Sequence, residues 1–164
     1  MLSRVLFYFV LFIFFLLFSV ACPYSFNNQL PKHLKTIAVP LFADKTFEFG
    51  LKERLTNSII KQFMETNALK VTDLQHADSV FKGTIKSYKK SVASYDSNEK
   101  VNEWELKITV SVEFKDLKKD KVIYKKKNKS LTIRYSEGGD EEENKNVLIS
   151  NLAKELVKEA LTTW

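Results

Sequence analysis

The chain has 164 residues, 26 basic and 20 acidic side chains, a net charge of +6, one cysteine and two histidines. A single cysteine forms no internal disulfide and excludes any multi-cysteine metal site, while His33 and His76 leave little for a zinc or catalytic constellation. The mild positive balance suits an anionic partner but falls far short of a dedicated nucleic-acid binder, so no nucleic-acid partner is expected.

The first 21 residues hold one charge, Arg4, and Val5 to Phe18 form a continuous apolar run. Ser19, Val20, Ala21 and Cys22 follow, an order that predicts a lipoprotein signal peptide over residues 1–21. A peptidase needs small side chains beside the scissile bond, and a lipoprotein signal needs cysteine directly after it. Ala21 and Cys22 fit those two needs. Ser19 departs from the leucine usual three residues before the cysteine. Cys22 is therefore the expected lipid-attachment residue, with a diacylglyceryl thioether and an N-acyl chain giving the more than one chain that lasting anchorage requires. The competing reading is an uncleaved anchor, because the run is close to the length of a bilayer-spanning helix.

Residues 22–34 contain two prolines and little periodicity, and read as a lipidated N-terminus and tether. A single domain is expected over 35–164. In KTIAVPLF (35–42), Ile37, Val39 and Leu41 share one face of a strand. Pro40 lacks an N–H, so that strand lies at an edge or ends there. From Phe49 to Thr66 the period becomes helical: Leu51, Leu55, Ile59 and Phe63 recur every four residues, and Ile60 and Met64 widen the stripe. A short strand is expected within 68–71. Phe81, Gly83 and Ile85 mark the next strand, where Gly83 implies close approach of a packed helix or a bulge.

Residues 91–100 read as a polar hairpin loop. Trp104, Leu106, Ile108, Val110, Val112 and Phe114 then alternate with polar residues, predicting a long antiparallel strand with one buried face. A turn at 116–121 leads to a return strand over 122–135 whose apolar parity changes, which predicts a bulge near Asn128. Gly138 and Gly139 break the chain. Asp140 is the expected N-cap of a helix reaching nearly to the C-terminus, with Leu148, Leu152 and Leu156 on one stripe and Ile149, Ala153, Ala160 and Trp164 beside it. The predicted fold is α+β: two amphipathic helices on one face of a mostly antiparallel sheet of four or five strands.

Several stretches carry a family resemblance. CPYSF at the lipid site, LPKHLKTIAVPLFADKT, LKERLTNSIIKQF, ADSVFKGTIKSY and the terminal helix ending in Trp164 resemble the LPS-assembly lipoprotein LptE family, in the same order and over essentially all of the mature chain. Pro23 departs from the glycine more usual after the cysteine. The resemblance implies two helices on a four-stranded sheet. It also implies a non-enzymatic lipoprotein, anchored in the outer membrane and facing the periplasm or the barrel lumen, that plugs the LptD β-barrel, helps it assemble and contacts lipopolysaccharide. Another periplasm-facing lipoprotein, such as a cell-wall synthase regulator or a secretion-channel component, is the alternative.

Lipid A and its inner sugars bear phosphates and carboxylates, and lysine supplies point charges for them. In LKKDKVIYKKKNKS (117–130), Lys118, Lys119 and Lys121 sit at the turn and are candidate lipopolysaccharide contacts, with Arg134 as a fork-shaped addition. Lys125, Lys127 and Lys129 share one parity and are expected to form a ridge. The plainer reading is a solvated hairpin whose lysines blunt an edge strand. No serine, histidine and carboxylate grouping stands out, no cofactor or metal is implied, and Glu141 to Glu143 suit a helix N-terminus.

Overall fold

The computed structural model describes residues 30–162. The expected signal peptide, Cys22 and Trp164 lie outside them. Strands β1 (Thr36–Ala38) and β2 (Ala43–Asp44) precede helix α1 (Leu51–Thr66). The two-residue β3 (Lys70–Val71) follows, then three long strands: β4 (Ser79–Tyr95), β5 (Val101–Asp116) and β6 (Lys121–Ser136). Helix α2 spans Glu141–Thr162. One sheet orders the strands β3-β1-β4-β5-β6, and β2 also pairs with β4.

The α+β architecture with both helices over one sheet face is present. The sheet corrects the expectation in size and sense. It has six strands and is mixed, because β1 runs parallel to both β3 and β4, and β2 runs parallel to β4. Strands of two or three residues are too short for an alternating pattern to register, and a parallel pair needs a crossover, here α1. The β1 strand ends at Ala38, before Pro40, and is flanked on both sides.

The expected loop over 91–100 is also shorter than its polarity suggested. Strand β4 continues to Tyr95, and Val92 pairs across from Trp104. Only residues 96–100 turn, closed by the Asp96 carboxylate accepting from the backbone N–H groups of Asn98 and Lys100.

On β5, Leu106, Ile108, Val110, Val112 and Phe114 are all buried beneath the helices. Helix α1 contributes Leu51, Leu55, Ile59 and Phe63, whereas Met64 is exposed and does not extend the buried stripe. Helix α2 contributes Leu148, Leu152, Leu156, Ile149, Ala153 and Ala160, and Asp140 caps it by accepting from the Glu143 N–H at 2.8 Å.

The expected bulge in β6 is present: Val110 pairs with Lys129 and Val112 with Lys126, so two residues, Lys127 and Asn128, oppose Ser111. The extra residue turns Lys129 to the helix side, where its ammonium meets Glu155 (2.8 Å) and Glu159 (2.6 Å) of α2. Lys125 stays on the opposite face, paired with Glu113 at 2.6 Å. The expected ridge of Lys125, Lys127 and Lys129 therefore does not form.

Gly83 accommodates a close approach, but from a ring and not a helix. A Cβ built there would lie 2.2 Å from the Phe42 ring, which is itself buried. The Phe42 backbone N–H donates to Thr56 Oγ1 of α1 at 3.1 Å, so the ring cannot move freely. Gly83→Ala is expected to cost about 1–3 kcal/mol, the range for overpacking a filled core. Urea unfolding would read it, and an unchanged midpoint would show that Phe42 yields without strain.

Candidate functional site

The chain enters the domain at the β5–β6 turn. The Asp116 carboxylate accepts from the N–H groups of Lys118 (2.8 Å) and Lys119 (3.0 Å) and meets His33 Nε2 at 2.6 Å. Asp78 accepts from the N–H groups of Lys35 and Thr36 and pairs with Lys118 Nζ at 2.7 Å. These contacts tie residues 33–36 to the turn. Beside them lies a groove of about 300 Å³, lined by Pro31, His33, Asp116, Lys119, Lys121, Val122 and Ile123. It has an apolar floor with ammonium groups at its rim, which suits an anionic amphiphile.

The carboxylates of this network are held below their ordinary range. For Asp78 the Lys118 hydrogen bond is the main cause, followed by the Lys35 N–H. Burial opposes ionisation of Asp116, but His33 and the two turn amides outweigh it. At the far end, Glu142 is lowered from 4.5 to about 2 by Lys145 and then Arg54. Because the folded values lie below the unfolded ones, the stability these groups contribute is present above the unfolded pKa and is lost as pH falls through the folded pKa. The melting temperature is expected to decline from about pH 4.5 to pH 2. A flat profile over that interval would contradict the ion-pair assignment.

The face of the sheet opposite the helices is open. Across β4, β5 and β6 it presents Lys82, Glu113 and Lys125 in one row and Ser87, Thr109 and Ser130 in another. Glu113 bridges Lys82 (3.2 Å) and Lys125 (2.6 Å), and Lys125 with Lys82 holds its carboxyl below the usual range. Between these ion pairs and the far turn, Lys89 of β4 lies directly across from Lys107 of β5, both exposed. Neither has an ion-pair partner among the described residues. Like charges directly opposite are destabilising, so this pair marks a spot suited to an added anion. Lys107 falls among the polar residues that alternate with Trp104 to Phe114, but only the register reveals Lys89 beside it.

The proposed lysines separate. Lys119 and Lys121 come together at the groove, and Lys118 turns instead to Asp78. Arg134 lies near the opposite end of β6, 3.4 Å from Glu105. Thirteen residues of strand separate it from Lys121, about 40 Å at ordinary strand rise. These four residues do not form one compact site. Cys22 lies outside the described residues.

A family model described as "LptE: Lipopolysaccharide-assembly" matches residues 34–163. The chain belongs to the lipopolysaccharide-assembly LptE family. No curated protein matches it. Among solved structures it is similar to the hypothetical protein CT253 from Chlamydia trachomatis, at 12% identity and TM-score 0.58, covering 79% of this chain and 97% of that one. It is also similar to protein XCC0632 from Xanthomonas campestris (11% identity, TM-score 0.54, 82% and 90% covered). A third match is the PelC dodecamer from Paraburkholderia phytofirmans (14% identity, TM-score 0.52, 78% and 89% covered). At these identities the likeness is one of fold.

This LptE-family chain holds a second polar cluster that periodicity did not reveal. Lys145 of α2 is 3% exposed, and its ammonium meets Glu48 at 2.5 Å and Glu142 at 2.6 Å. It also lies 5.5 Å from the centroid of the Tyr88 ring. Burial opposes its charge, but the two carboxylates outweigh burial and raise its pKa. The Tyr88 hydroxyl is buried without a hydrogen-bond partner among the described residues, and burial pushes its pKa up to about 12. Glu142 also receives Arg54 Nη1 at 2.6 Å, so the cluster joins the loop before α1, α1 itself and the start of α2.

Proposed function

We propose that this LptE-family protein is a non-enzymatic outer-membrane lipoprotein, anchored through acylated Cys22, that plugs the LptD β-barrel, assists its assembly and contacts lipopolysaccharide. The observation that carries the geometric part is the one-sided sheet. Three strands of 16 or 17 residues pack one face toward the helices, most fully along β5, and leave the other open, polar and rich in hydroxyls and ammonium groups. The lumen of a large transmembrane barrel is polar, so such a face can lie against its inner wall without burying unpaired apolar surface. The groove rimmed by Lys119 and Lys121 is the favoured lipopolysaccharide contact, with its apolar floor toward an acyl chain and its ammonium groups toward phosphate.

Two measurements test this reading. A photoreactive residue at Thr132, on the open face, is expected to crosslink to the barrel in intact cells. Purified Lys119→Ala/Lys121→Ala protein is expected to bind lipopolysaccharide about tenfold more weakly, on the scale of one or two charge-assisted hydrogen bonds, with Arg134→Ala close to unchanged. Equal losses from both variants would place the contact elsewhere. Mass spectrometry of the mature N-terminus checks the anchor: a start at Met1 with unmodified Cys22 would remove it.

A further inference from the structure

On the proposed anchor, the acyl chains sit at Cys22, eight residues before Leu30. Eight residues of chain reach at most about 29 Å, so the end of the sheet where the chain enters can stand no farther than that from the lipid. The opposite end, the turn at 96–100, lies beyond it by the length of β5, about 50 Å at ordinary strand rise.

The near end carries cations that nothing in the domain answers. Lys32, Lys35 and Lys70 are exposed and have no ion-pair partner among the described residues. The fold gathers them. The Lys70 N–H donates to the Lys35 carbonyl at 2.9 Å, where β3 and β1 begin side by side, and Lys32 precedes His33, which Asp116 holds. The carboxylates of this end are engaged elsewhere: Asp78 meets Lys118, Asp116 meets His33, Asp120 meets Lys115 and Asp73 meets His76. Lys119 and Lys121 add further cations at the groove assigned to lipopolysaccharide, so the positive surplus is concentrated at this end.

Exposed apolar side chains stand beside these lysines. Leu74 belongs to the turn Leu74–His76, whose His76 carbonyl accepts from the Thr36 hydroxyl at 3.2 Å. The exposed Leu117 is tied to the same corner by its N–H, which donates to the Asp78 carbonyl at 2.9 Å. Exposed Met64 and Lys70 line a groove of about 470 Å³ with Asn67, Leu69 and Val71. Lysines around exposed apolar groups suit a lipid headgroup layer, where ammonium groups reach phosphate and apolar groups enter the acyl boundary. The other strongly exposed rings, Phe47 and Phe49, stand instead among charges that pair, Glu48 with Lys145 and Glu53 with Lys52.

We infer that this end of the domain is a membrane-docking surface. Lys32, Lys35 and Lys70 rest on anionic phospholipid headgroups of the leaflet that holds the Cys22 acyl chains, with Leu74 and Leu117 at the headgroup level. The inference rests on the proposed anchor and adds an orientation to it: the strands rise from the membrane, and the 96–100 turn is farthest from it. Basic groups beside an anchor gain from the negative surface potential of anionic lipid, and the gain vanishes within a Debye length.

The experiment uses the mature lipoprotein, purified from the cells that make it, with a single added cysteine, Gln75→Cys beside Leu74 or Asn98→Cys in the far turn. Acylation of Cys22 leaves the added cysteine as the one free thiol, and it carries a fluorophore. The labelled protein is placed in phosphatidylcholine vesicles, with and without phosphatidylglycerol, containing a lipid with a nitroxide headgroup that quenches nearby fluorophores. With phosphatidylglycerol, quenching at Gln75→Cys is expected to exceed that at Asn98→Cys at least about threefold, and to fall toward the Asn98→Cys level at about 1 M salt. The Lys32→Glu/Lys35→Glu/Lys70→Glu variant should lose the difference at an unchanged melting temperature. Equal quenching at the two positions, or a Gln75→Cys signal indifferent to phosphatidylglycerol and salt, overturns the docking surface and leaves the anchor intact. Those two comparisons need no charge variant, so they decide the matter even if that variant unfolds. Mass spectrometry of the same sample tests the anchor separately: a Met1 start with unmodified Cys22 overturns the anchor, and the docking surface with it.

Discussion

Phe81→Ala is expected to lose about 3–5 kcal/mol, the largest effect of any single truncation considered, and to lower the melting temperature by roughly 10–20 °C for a domain of this size. Phe81 is fully buried on β4, directly across from Phe114 of β5. Its ring meets Phe63 of α1 edge-on at 5.4 Å between centroids, and lies 6.3 Å from both Phe42 and Phe114. One side chain thus joins the loop before β2, the first helix and two strands. Its removal opens a cavity that none of these elements can fill alone, because Phe42 is already fixed over Gly83. Phe81→Leu retains most of the volume and should cost less than about 1.5 kcal/mol. Phe47→Ala is the useful contrast, since its ring touches solvent and should leave stability unchanged. Urea unfolding of the three variants checks the order. A Phe81→Ala midpoint no lower than that of Phe47→Ala would mean that the four rings do not form the centre of the core.

The parts of the fold that were legible in the sequence are those where burial is one-sided and long. The alternation from Trp104 to Phe114 and the four-residue period from Leu51 to Phe63 each reflect a single surface pressed against the core. The parity change in β6 was readable for the same reason, because a bulge moves later apolar residues to the other register. Strands β2 and β3 have two residues each, so they leave no period, and their parallel pairing depends on where α1 returns the chain. Residues 91–95 were misread because a strand with a sparsely buried face looks like a loop in composition.

The site was less legible than the fold. A lysine count located the β5–β6 turn, but only three-dimensional pairing separates Lys118, engaged by Asp78, from Lys119 and Lys121 at the groove. The Lys89–Lys107 opposition needs a register, and the exposure of Phe47 and Phe49 needs a loop conformation. Neither is encoded in spacing.

Lys145 tests whether a buried charge here is held up by its partners or holds them. Its aliphatic stem packs in the interior while its ammonium reaches Glu48 and Glu142. Glu142 is well exposed and Glu48 about one-third exposed, so either carboxylate can recover water if the lysine is lost. The lysine cannot do the same without withdrawing from beneath Tyr88. Lys145→Met keeps the stem and removes only the charge, and is expected to cost about 1 kcal/mol. Lys145→Ala also empties the space of the stem, and should cost about 2–4 kcal/mol. The sharper expectation concerns the partners. Glu48→Gln combined with Glu142→Gln should destabilise the protein more than Lys145→Met, because it leaves an ammonium buried without compensation, which is the expensive way to break a buried pair. The pH dependence separates the variants further. The folded pKa of Lys145 is raised, so its stabilising contribution is complete below the unfolded lysine pKa and is lost only as pH rises through the folded value. Removing both carboxylates should therefore make the protein more stable at high pH than at neutral pH, where the orphaned lysine can shed its proton. If urea unfolding finds Lys145→Met to be the more damaging change, then Glu48 depends on the lysine for more than charge, and the loop bearing Phe47 and Phe49 is held mainly by that one ion pair.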